Sequence, residues 1–129
     1  MKTLGARIED YPELASTSAF YESQYYKIEY QDPTALLGYI LALEGFAVTQ
    51  GAWIYSETSG QFGKAACTFL KVHADDDPDH LDKALEHVKP LSETQQRFVA
   101  QNLMQSTWVL THMLEECAVK ASRATPKAA

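Results

Sequence analysis

The sequence predicts an all-α helical bundle, and three observations predict it. Strand signals are nearly absent: no alternating apolar and polar run of five or more occurs, and there is no Asn-Gly or Asp-Gly hairpin turn. Apolar residues recur instead at helical spacing over long windows. Helix start and stop residues stand between those windows: Asp32-Pro33, Gly60, Lys89-Pro90, and Ser92 with Gln95. A chain of 129 residues fits one domain and can bury a core. Three of its helices should be long, roughly 35 to 45 Å at about 1.5 Å per residue.

In chain order, Tyr11-Pro12-Glu13 reads as a short helix opened by a proline in its first turn. Over residues 18–30 the aromatics Phe20, Tyr21, Tyr25, Tyr26 and Tyr30 recur as on an amphipathic helix, and such a stripe is usually core. Asp32 then serves as N-cap and Pro33 as first residue of a helix over 33–57, with Gly60 as the left-handed residue that ends it. A third long helix covers 64–87, with a kink expected near Asp77 because Pro78 lacks an amide hydrogen. Ser92 and Gln95 form a capping box for a helix to about residue 119, which should bury Phe98, Leu103, Trp108, Val109 and Met113. Residues 1–119 thus read as one helical domain, and 120–129, rich in Ala, Lys, Ser, Thr and Pro, as a frayed tail.

Composition excludes some functions. A hydrophobic share of 46% with 22% charged residues is ordinary for a globular protein. The net charge is −6 and the 11 Lys and Arg are scattered, which argues against nucleic acid as a partner. Cys67 and Cys117 have no metal-like or redox-like spacing, and no secretory signal is evident, so a cytoplasmic protein with reduced thiols is expected. Residues 35–55 are apolar enough to resemble a membrane span. Glu44 and Gln50, three glycines and the lack of a basic flank make a buried core helix, with no membrane, the better reading.

Glu44 is the only acid between Asp32 and Glu57, and it stands among Leu41, Leu43, Phe46 and Val48. Burying an unpaired carboxylate costs several kcal/mol, so it needs a hydrogen-bonding neighbour, a cation or a metal. His73, Asp77 and His80 fall at i, i+4 and i+7, within about 60° of one helix face. Carboxylate and imidazole donors suit a first-row metal, and helical bundles build such sites from spacings like Asp77-x-x-His80. The candidate ligands are therefore Glu44, His73, Asp77 and His80. The competing account is a Glu44 bonded to a Tyr, Trp or Arg and a solvated acidic stretch, with Asp75, Asp76 and Asp79 pointing outward. His87 continues the same face, His112 reads as a satisfied core or surface residue, and Cys67 as packing.

At these residues the sequence resembles the haem-oxygenase-like di-iron oxidases, also described as iron-containing redox enzymes. The resemblance rests on Glu44 followed by His73-x-x-x-Asp77-x-x-His80, with Leu37-Gly-Tyr-Ile-Leu-Ala-Leu-Glu44-Gly and Phe69-Leu-Lys-Val-His73 around them, and covers roughly residues 32–119. It implies a haem-oxygenase-like bundle and oxidation of a small organic substrate by dioxygen at one or two iron ions. It also implies that Glu44 bridges two irons, with Asp77 and His80 on one and His73 toward the other. The family takes two more ligands, a glutamate and a histidine seven residues later, from an earlier helix. No histidine precedes His73 here, so the chain looks like the C-terminal part of that domain, without its N-terminal helices. A homo-oligomer or a partner polypeptide completing the bundle is then expected. The alternatives are a non-catalytic helical interaction subunit or a truncated relative retaining a partial metal site, and a metal-free relative of the thiaminase type.

Overall fold

A computed structural model describes residues 7–124, apart from the side chains at 8, 75–78 and 122–124. The fold is all-α, with no strand among the described residues. Four helices follow one another: α1 (Ala15–Tyr30), α2 (Leu36–Phe62), α3 (Thr68–Val88) and α4 (Glu93–Ala124), with single turns of 3₁₀ helix at Ile8–Asp10, Pro33–Ala35 and Lys64–Ala66.

Local chemistry sets the joints. Asp32 has extended dihedrals, and its Oδ1 accepts from the Thr34 amide at 2.8 Å and the Thr34 hydroxyl at 2.6 Å, while Pro33 opens the turn that feeds α2. Gly63 ends α2 with φ 81°, a conformation in which a side chain would be strained. At the start of α4 the capping box closes both ways: the Gln95 amide donates to Ser92 Oγ at 3.4 Å, and the Ser92 amide to Gln95 Oε1 at 3.2 Å.

α2 and α3 form an antiparallel pair. Leu41 and Ala84 share the core, Glu44 lies beside His80, and a Cβ on Gly51 would touch Ala74. One side of this pair is covered by α4, which comes so close that only a glycine fits at Gly38. The core sits where the three helices meet, at Leu41, Ala84 and Val99, with Leu37, Ile40, Leu81, Val88, Leu91 and Leu103 around them. α1 lies antiparallel to α4, tied by Ser16 to Glu116 and by Lys27 to Gln105. Beneath α1 a polar strip is buried: Asn102 Nδ2 donates to Gln24 Oε1 at 2.7 Å and to the Ala35 carbonyl at 2.8 Å, and Ser106 donates to Asn102 Oδ1.

Several sequence expectations are corrected. Pro12 lies in an irregular segment rather than a helix, since α1 begins at Ala15. Gly60 is helical, and α2 continues to Gly63, the next glycine free to take a positive φ. As expected, Pro78 does not end α3, which runs as one helix from Thr68 to Val88. α4 extends to Ala124, five residues beyond its expected end, and the rest of the expected tail, 125–129, lies outside the described residues. The aromatic stripe of α1 is not core: Tyr25, Tyr26 and Tyr30 are exposed, and the buried positions are Phe20, Gln24 and Lys27. Trp108, expected inside, is 63% exposed. α2 is a core helix only in its first half, where Gly38, Leu41 and Ala42 are buried. Among the described residues, Pro33–Phe62 is long and apolar enough by length and composition to cross a membrane, and 22% of its most apolar window is buried.

Candidate functional site

Glu44 sits on the face of α2 that meets α3, opposite to the side covered by the exposed Trp53. Its Oε2 is buried, and its side chain is 20% exposed. His80 reaches it from α3, with Nδ1 at 3.8 Å from that oxygen and half its own surface open to water. Two ligands of one first-row ion at bond lengths of about 2.1 Å lie roughly 3 to 3.6 Å apart, so this pair stands within a few tenths of an ångström of a shared-metal spacing. Carboxylate and imidazole are also donor types that suit such an ion.

His73 stands two turns earlier on α3. A helix rises about 1.5 Å per residue, so seven residues separate the two histidines by roughly 10 Å along the axis even though they share a face. Gly51 packs on Ala74, which puts His73 level with the middle of α2 rather than with Glu44. Glu44 and His73 nevertheless line one apolar recess of about 270 Å³, walled by Leu43, Phe46, Ala47, Ile54, Phe69 and Leu70. The Phe69 ring lies against the His73 imidazole at 4.4 Å between centroids. The side chain of Asp77 is outside the described residues, although its backbone belongs to α3 between the two histidines.

The arrangement brings Glu44 and His80 together, sets His73 along the same recess, and groups no three His, Cys, Asp or Glu side chains at ligand range among the described residues. His87 is exposed near the end of α3. His112 is also exposed; its Nδ1 is 2.8 Å from the Trp108 carbonyl oxygen, and its ring lies 3.9 Å from the Trp108 ring. Cys67 is 2% exposed, in keeping with a packing role. Tyr25, Tyr26 and Tyr30 line recesses against α1, away from Glu44.

One charged group escaped the sequence reading. Lys27 is 8% exposed, and its Nζ donates to Gln105 Oε1 at 2.6 Å. Burial pushes its pKa below the ordinary lysine value. The available signal was the spacing of Phe20, Gln24 and Lys27 at i, i+4 and i+7, the buried stripe of α1; the exposed tyrosines masked it. No protein-family model matches the chain, and neither curated proteins nor solved structures give a match to it.

Proposed function

We propose that the chain supplies one wall of a non-haem iron centre that oxidises a small organic substrate with dioxygen. A second polypeptide, another copy or a distinct partner, would close its open side. The observation that carries this reading is the buried Glu44 Oε2 at 3.8 Å from His80 Nδ1, with His73 on the wall of the same apolar recess. Glu44, His73, Asp77 and His80 would hold one or two irons, which supply redox chemistry with dioxygen when bound. The chain's own tasks are simpler. Leu43, Phe46, Ala47, Ile54 and Leu70 exclude water and hold the apolar part of a substrate. Phe69 restrains the imidazole of His73.

The resemblance of Glu44 and His73-x-x-x-Asp77-x-x-His80 to the haem-oxygenase-like di-iron oxidases supports the same reading. Free thiols at Cys67 and Cys117 fit a cytoplasmic setting. Protein produced with ferrous iron is expected to retain one or two irons per chain, and the double variant His73→Ala/His80→Ala, checked for helix content, to retain none. Iron content unchanged by the double substitution rules out these ligands, and a wild-type protein that is metal-free both alone and in the assembly recovered from its own cells rules out the centre. A second reading, a non-catalytic helical interaction subunit, is favoured by exposed apolar side chains such as Trp53 and Phe69. A metal-free chain that still assembles is its signature.

A further inference from the structure

Between α1 and α4 runs a groove that shares no residue with the Glu44 recess. Its polar end, about 450 Å³, is lined by Ser23, Tyr26, Lys27, Tyr30, Gln101 and Gln105, with Gln31 at its edge. Its apolar end, about 630 Å³, is lined chiefly by Phe20, Met104, Trp108 and Val109. The two ends meet at Ser23 and Gln105, which belong to both. Met104 and Trp108 stand 71% and 63% exposed, a large apolar presentation for the middle of a helix.

The polar end has an unbalanced charge. Lys27 is more than nine-tenths buried, its partner is the neutral Gln105 amide, and it makes no ion pair among the described residues. No Asp or Glu lines the recess. The same recess is lined by side chains of serine, tyrosine and glutamine, whose hydroxyls and amides can donate to an oxyanion. A lysine with a buried stem, whose charged end meets a recess lined by neutral groups, favours an anion there. With one lysine and no arginine present, a monoanion matches it better than a phosphate dianion, which calls for several cations. The apolar end then accounts for the rest of the ligand, and the α4 stretch from Gln101 to Val109 spans about 12 Å, the reach of one small molecule.

We propose that the α1/α4 groove binds a small amphipathic carboxylate, with its head group at Lys27 and its apolar tail along Met104 and Trp108. Titration calorimetry with decanoate is expected to give one site per chain, with a change in Trp108 emission read in a Trp53→Phe background. Acetate carries only the head and decanol only the tail; both are expected to bind at least about tenfold more weakly. Lys27→Met is expected to weaken decanoate at least about tenfold while leaving decanol unchanged. Gln101→Glu, at the exposed rim, sets a negative charge beside the head group without touching a buried residue, and is expected to produce the same loss. The proposal is overturned if decanoate binds no tighter than decanol, if it binds the Gln101→Glu variant as tightly as wild type, or if Trp108 emission does not move.

Discussion

A Cβ built on Gly38 would stand 2.2 Å from the carbonyl oxygen of Val99 and 2.6 Å from the amide nitrogen of Leu103. Both are backbone atoms of α4, which cannot swing aside as a side chain can, so the two helices must move apart to admit a methyl group. Gly38→Ala is expected to destabilise the protein by about 3 kcal/mol, the upper end of the usual cost of overpacking. Gly45 provides the control on the same helix, because nothing lies within 4 Å of its would-be Cβ. Gly45→Ala should be neutral or stabilise by up to about 1 kcal/mol through helix propensity. Urea denaturation of the two variants checks both signs, and a Gly38→Ala protein as stable as wild type would disprove the close approach. The same scale governs Asn102, which is fully buried and makes three hydrogen bonds to groups that water cannot reach.

Elements are joined by short polar devices, and Asp32 does most at one joint. Its carboxylate accepts from the hydroxyl and amide of Thr34 and from Gln95 of α4, so it caps the turn leading into α2 and touches the capping box of α4. The Thr34 side chain first, then the Thr34 amide, hold its pKa below the ordinary 3.8, against a smaller opposing effect of desolvation. A carboxyl whose folded pKa is depressed contributes stability that is present above the unfolded value and lost as pH falls through the folded one. Asp32→Ala is therefore expected to lower Tm at neutral pH, and its gap to wild type should shrink below pH 3.8. Thermal melts across that range decide the matter; a gap that stays constant with pH would mean the aspartate acts through packing rather than charge.

For the whole molecule, exposed surface is the telling quantity. Trp53, Phe69, Val72, Met104 and Trp108, all on long helices, are each more than half exposed. α4 covers one side of the α2/α3 pair, and the side bearing Leu43, Phe46, Ile54 and Phe69 faces a recess open to solvent. A standard interface takes roughly 800 Å² from each partner. Light scattering is expected to give a particle larger than one chain, and Trp53→Asp to shift it toward the monomer. A wild-type chain that stays monomeric at high concentration would leave the covering role to a different polypeptide.

The sequence by itself determined the helical class, the joints at Asp32-Pro33 and Ser92/Gln95, and the acid of α2 that meets a histidine of α3. Those follow from local chemistry: caps, proline positions and a lone carboxylate in an apolar run act within a few residues or demand a partner wherever it lies. Only the tertiary structure decided which faces are covered. Tyr25, Tyr26, Tyr30 and Trp108 look like core by spacing and are exposed, while Gln24, Lys27 and Asn102 look like surface and are buried. Periodicity reports that a helix has a face, but burial depends on which helix packs there, and α1 meets α4 partly through hydrogen bonds that no pattern of apolar residues encodes. The candidate metal residues divide the same way. Spacing placed His73 and His80 on one side of α3, and the antiparallel register of α2 against α3 put His80, and not His73, level with Glu44.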